Sequence, residues 1–153
     1  RDKKILAGVI YEPISDQMFW AERGKGAFLN GQRIRVSSRR KLTDSVFATG
    51  IPFMGRDGHA EFLKELESVM AVTAGVRRFG SAALDLAYLA AGRYEGYWER
   101  NLNSWDIAAG LAIVREAGGF VSDFNGNDKA LKSGDIVAAN SELHSQFLKI
   151  LNP

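Results

Sequence analysis

Between Ser37 and Asp44 the apolar pattern of this chain changes period, and that change limits the possible folds more than any other feature. Upstream, apolar residues alternate with polar ones, the two-residue repeat of a strand with one buried face. Ile5, Ala7, Val9 and Tyr11 share one register and are expected to face a core. Pro13 to Asp16 supply a turn before Met18-Phe19-Trp20, and Gly24 and Gly26 punctuate the next segment. Asn30-Gly31 is a strong two-residue hairpin signal leading into Arg33-Ile34-Arg35-Val36, where Ile34 and Val36 alternate with two wet-face arginines. The expectation is an antiparallel meander.

Downstream the spacing becomes helical. Phe62, Leu63, Leu66, Val69 and Met70 form one stripe over residues 60–72, after a strand at 45–50. Strands at 76–79, 93–99, 120–124 and 136–140 then alternate with helices at 81–91, 105–117 and 141–151. Such alternation predicts a layered α/β architecture with a parallel or mixed sheet. The chain therefore divides into an antiparallel-sheet subdomain over 1–42 and an α/β subdomain over 43–153.

A chain of 153 residues with 46% hydrophobic residues and 25% charged ones is globular, not disordered. Twenty Lys and Arg against eighteen Asp and Glu give +2, too small an excess to demand a polyanionic partner. The absence of Cys and of any apolar run near the ~20 residues that span a bilayer makes a cytoplasmic protein the expectation. The sequence opens on Arg1 rather than Met and enters a strand within four residues, from which a missing upstream portion is expected.

Three places could carry chemistry. In Ser104-Trp105-Asp106-Ile107-Ala108-Ala109-Gly110, Ser104 reads as a helix N-cap, which puts Asp106 in the first turn, where free N–H groups favour an ionised carboxylate. Ala108, Ala109 and Gly110 let that helix press on its neighbours. Asp106 serves either a ligand or only the helix dipole. Glu99 ends the preceding strand, five residues short of the helix, so the two carboxylates converge beyond a strand terminus, where open α/β sheets place ligands. Hard oxygens of this kind suit Mg²⁺ and polyol hydroxyls; the plainer alternative is a solvated Glu99 paired with Arg93 or Arg100. Gly80-Ser81-Ala82 opens a helix after a strand and exposes backbone donors, although a simple N-cap at Ser81 explains the same residues.

Other features carry less. Gly24-Lys25-Gly26 lacks P-loop spacing, and the Asp123 to Asp128 stretch has Gly126 at the wrong place for a calcium loop. His59 and His144 have no ligand partners in sequence. Arg39-Arg40-Lys41 reads as a solvated turn.

Gly80-Ser81-Ala82-Ala83-Leu84-Asp85, Tyr97-Trp98-Glu99 and the long W-D-x-A-A-G…E-A-G-G pattern from Trp105 to Gly119 closely resemble the inositol monophosphatase family, particularly its bacterial branch. Tyr11-Glu12-Pro13, the Gly24 to Gly31 segment and Val137-Ala138-Ala139-Asn140 extend the resemblance over essentially the whole chain. It implies the layered sugar-phosphatase fold, truncated, with 1–42 a remnant of the amino-terminal sheet. It also implies a Mg²⁺-dependent phosphomonoesterase in which the ions polarise the phosphoryl group and lower the pKa of water. On that basis Asp106 is a metal ligand beside the substrate hydroxyl, and Glu99 with Gly80, Ser81 and Ala82 holds the polyol. The D-P-x-D-G-T motif and its companion Glu are absent, and Asp57-Gly58 cannot replace them, so the chain alone is expected to be inactive. Inositol monophosphate is the leading substrate, since Glu99 would repel a second phosphate; fructose bisphosphate and adenosine 3′,5′-bisphosphate are the alternatives. A non-catalytic module bound to RNA or transcription machinery through Arg33, Arg35, Arg39, Arg40 and Lys41 is the reading from another class. The family resemblance further implies a homodimer.

Overall fold

The computed structural model describes residues 4–152. Arg1, on which the expectation of a missing upstream portion rests, lies outside them.

Strands β1 (Ala7–Glu12), β2 (Gln17–Glu22), β3 (Gly26–Leu29) and β4 (Gln32–Ile34) form a four-stranded antiparallel meander in sequence order. The β3–β4 hairpin closes on Asn30 at φ 48° and Gly31 at φ 80°, the left-handed pair that a two-residue turn between right-twisted strands requires. The register of β1 is the reverse of the expectation. Gly8 and Ile10 face the core, while Val9 and Tyr11 are more than half exposed. Gly8 is inward because helix α3 (Ser104–Glu116) crosses it directly: a Cβ there would lie 2.6 Å from the Ala109 carbonyl oxygen.

A five-stranded mixed sheet follows, in the order β6-β5-β7-β9-β8. Strands β5 (Val46–Thr49), β6 (Gly75–Arg77) and β7 (Gly96–Glu99) are parallel, joined by helices α1 (His59–Met70) and α2 (Ala82–Ala90). Strand β9 (Ile136–Ala139) pairs antiparallel to β7, and β8 (Phe120–Ser122) pairs antiparallel to β9 at the sheet edge; β8 follows α3, and β9 follows the single-turn helix α4 (Ala130–Ser133). Helix α5 (His144–Leu151) ends the described chain.

Two cores stack these elements into layers. One lies where α2 and α3 separate the two sheets and includes Phe19, Leu86, Tyr97, Ile107 and Ile113. The other packs Phe47, Trp98, Val137 and Phe147 of the mixed sheet and α5 against Phe62 and Val69 of α1. The apolar stripe expected on α1 is only partly buried. Leu63 and Met70 are exposed, and Glu65 faces inward in their place, 5% exposed and paired with Arg100 at 2.7 Å.

Candidate active site

Strand β7 carries its side chains to alternate faces, so Tyr97 enters the core under α2 and α3, Trp98 the opposite core, and Glu99 returns to the Tyr97 face at the strand end. The Tyr97 hydroxyl accordingly donates to Glu99 Oε2. Neither ion pair considered for Glu99 forms. Arg93 reaches Gln17 and lies over the Tyr88 ring, and Arg100 is taken by Glu65 and Glu61. Burial raises the Glu99 pKa, Asp106 adds to the rise, and the Tyr97 hydroxyl, Arg56 and Arg78 oppose it.

A glycine that sequence reasoning passed over makes this placement possible. Gly50 follows β5 beside Glu99, and a Cβ on it would lie 1.9 Å from the Glu99 carboxyl carbon. The clashing atoms end a flexible side chain, so Gly50→Ala should swing Glu99 aside at a stability cost within about 1 kcal/mol, yet weaken a polyol phosphate about tenfold or more. Urea denaturation and calorimetric titration with inositol 1-phosphate check both expectations; unchanged affinity would mean that Glu99 does not hold the ligand.

The connection from β7 turns through Asn101 at φ 58° into α3. Here the N-cap is Asn103, not Ser104 as expected, because Asn103 has the extended backbone of a cap while Ser104 is already helical. Asp106, three residues on, accepts the Asn103 N–H on Oδ2 at 2.9 Å, the reciprocal half of a capping box. Asp106 therefore does serve the helix start, but with one oxygen; Oδ1 has no protein donor among the described residues. The third element also has its plain role. Gly80 turns at φ 91°, and Ser81 caps α2, its hydroxyl 3.4 Å from the Leu84 N–H.

These elements meet. Gly80, Ser81, Ala82, Glu99 and Asp106 all line one open cleft of about 390 Å³, with Trp105 exposed at its edge. Gly50, Arg56 and Arg78 line it too. The two guanidinium groups remove the electrostatic case against a second phosphate, since cations stand in the same cleft as Glu99. Behind the cleft Asp85 is buried, and desolvation with the nearby Glu99 charge pushes its carboxyl up to about 7. A lone Asp in the apolar run Ala82-Ala83-Leu84-Asp85-Leu86-Ala87 was the available sequence signal.

No group of three or more His, Cys, Asp or Glu side chains among the described residues is arranged to hold a metal. Mg²⁺ is commonly held through one or two carboxylates, substrate phosphate and waters. Asp106 with its open Oδ1 fits one such position, not a complete site. The features discounted from sequence stay out of the cleft: Asp123 Oδ1 accepts the N–H groups of Asn125 and Asn127, His144 sits 3.1 Å from Ser122 Oγ, and His59 is exposed at the start of α1. Of the basic residues near 33–41, Arg39 is tied to the buried Glu95 at 2.8 Å.

Among the described residues no helix is long and apolar enough to cross a membrane. The model of the inositol monophosphatase family matches residues 1–153. An inositol-1-monophosphatase of Mesorhizobium japonicum is 54% identical over 149 residues, 97% of this chain and 56% of that protein. The Nus factor SuhB of Pseudomonas aeruginosa is 46% identical over 147 residues, 95% of this chain and 54% of that one. The crystal structure of the extragenic suppressor protein suhB from Bartonella henselae superposes with a TM-score of 0.94 at 54% identity, covering 97% of this chain and 57% of that one. The chain thus spans a little over half the length of these relatives. With its motifs, its two-sheet layering and the match over its whole length in agreement, the chain belongs to the inositol monophosphatase family.

Proposed function

We propose that this chain is the polyol-recognising portion of a Mg²⁺-dependent phosphatase that hydrolyses inositol monophosphate. The observation that carries the reading is the meeting of Glu99, Asp106 and the Gly80-Ser81-Ala82 turn in one cleft, although they come from three separate elements. Glu99 accepts ligand hydroxyls, with its orientation held by Tyr97 and its space kept by Gly50. The first N–H groups of α2 donate to ligand oxygens, since no helical acceptor exists for them. Asp106 keeps Oδ1 for Mg²⁺, which when bound supplies phosphoryl polarisation and an activated water. Arg56 and Arg78 offset the two carboxylates, so an anionic ligand meets a cleft of mixed charge. The homologue named inositol-1-monophosphatase favours inositol phosphate over the bisphosphate alternatives.

Among the described residues, the cleft offers Asp106 as one carboxylate for Mg²⁺ and no group of three or more metal-binding side chains. The purified chain with inositol 1-phosphate and Mg²⁺ is expected to release no phosphate above background. Turnover abolished by Asp106→Asn would overturn that inactivity. We further propose that the chain self-associates in a cytoplasmic setting, because the edge strand β1 turns Val9 and Tyr11 outward beside Met18. Sedimentation velocity is expected to show a dimer or larger species, and a single monomer boundary would refute it.

The second reading, a module acting with RNA or transcription machinery, is favoured by the relatives named Nus factor SuhB. The candidate basic surface is smaller than its sequence count, because Arg39 already serves Glu95.

A further inference from the structure

Asp85 is 1% exposed, its Oδ2 has no hydrogen-bond partner among the described residues, and it belongs to no ion pair there. A buried carboxylate without a counter-ion is costly, whereas a buried carboxylic acid is tolerated. Its position ties it to the cleft. Asp85 lies one helical turn after Ser81, its N–H donating to the Ser81 carbonyl at 2.8 Å, and helical side chains tilt toward the amino terminus. Its carboxyl is thereby directed back at the Gly80-Ser81-Ala82 turn from the inner side. The Tyr94 hydroxyl donates to the Asp85 carbonyl and stands 3.5 Å from Oδ1.

We propose, resting on the reading of the cleft given above, that Asp85 is a positioning residue: an uncharged carboxyl behind the Gly80-Ser81-Ala82 turn that leaves Glu99 as the ionised acceptor for ligand hydroxyls. The surrounding groups favour this division. Arg78 approaches from the turn before α2, Tyr94, Tyr97 and Glu99 from β7 and its approach, Tyr88 from α2 itself, and Asp106 from α3 by way of Glu99. The cations are Arg78, which acts on both carboxyls, Arg56, which acts on Glu99, and Arg93, which acts on Tyr94; none of them is bonded to either carboxyl. Two desolvated carboxyls that repel one another do not both ionise readily, and one retains a proton longer. Asp85 is the more buried, and desolvation with the Glu99 charge pushes its carboxyl up to about 7 against the Tyr94 hydroxyl, Arg78 and the Ser81 backbone, while Glu99 lines the open cleft and takes the closer Tyr97 hydroxyl bond that favours its charge. Above neutrality a second negative charge appears beneath the turn and opposes an anionic ligand.

The test uses the 153-residue chain and its Asp85→Asn variant, with carboxyl and amide NMR between pH 4 and 9 and calorimetric titration with inositol 1-phosphate. The Asp85 carboxyl and the Ser81 and Ala82 amides are expected to titrate together near pH 7, and the amide response should vanish in the variant. Affinity for inositol 1-phosphate should fall roughly three- to tenfold more between pH 6 and 8 in the parent than in the variant, the two matching at pH 6. An Asp85 titration near pH 4 overturns the proposal even if the variant does not fold. Equal pH profiles of binding in both proteins overturn it while leaving the reading of the cleft intact; no binding by either removes that reading, and the positioning role with it.

Discussion

Asp85→Asn is expected to stabilise the chain in mildly alkaline solution. The folded protein holds the Asp85 proton up to about pH 7, whereas the unfolded chain releases it near 3.8. Between those values the folded state binds more protons, so this group makes stability fall as pH rises, and above about 7 the loss is complete. At 1.36 kcal/mol per pH unit the interval corresponds to roughly 4 kcal/mol. Asn is neutral throughout and nearly isosteric, so the variant escapes the penalty, less what its amide loses by lacking acceptors. The expected result in urea is near-equal stability at pH 4 and a variant about 2–4 kcal/mol more stable at pH 8. Glu65 is also shifted upward and slopes the same way, but it is common to both proteins and cancels in the difference, while the repulsion from Glu99 is already contained in the Asp85 rise. A variant less stable by the same amount at both pH values would mean that Asp85 acts through a hydrogen bond rather than through its proton.

Asp85 also shows where sequence patterns stop being informative. The change of period near residue 43, the Asn30-Gly31 hairpin and the run of helices and strands after it could be read directly, because each rests on local chemistry. So could the sheet-edge meeting of Glu99 and Asp106, since a short connection from strand end to helix start leaves little choice. The errors occur where a tertiary partner overrides the local signal. β1 has apolar residues on both faces, and the inward side was settled by the approach of α3 to Gly8, which carries no hydropathy of its own. On α1, Glu65 takes an inward position because Arg100 and the Trp98 indole satisfy it, while Leu63 and Met70 are left outside. Gly50 and Arg78 reach the cleft from loops whose path depends on the sheet order.

Trp98→Ala should produce the largest loss of stability, and its effect on the cleft should be small. Trp98 is fully buried between Phe62 of α1 and Phe147 of α5, with ring centroids 6.5 and 5.7 Å away, and its indole N–H donates to Glu65 Oε2 at 3.2 Å. Truncation removes a large ring from a filled core, a change that costs about 3–5 kcal/mol, and at this chain length lowers the melting temperature by about 10 °C or more. Trp98→Phe retains most of the apolar volume but strips the donor from Glu65, for an expected cost of about 1–3 kcal/mol. The Trp98 side chain lies on the face of β7 opposite Tyr97 and Glu99, so the Tyr97–Glu99 contact persists in molecules of either variant that remain folded. Trp98→Ala should therefore melt early yet bind inositol 1-phosphate within about threefold of the parent at 10 °C, whereas Gly50→Ala should show the reverse pattern. Parallel loss of stability and affinity in both variants would refute this separation and mean that the two faces of β7 are not independent.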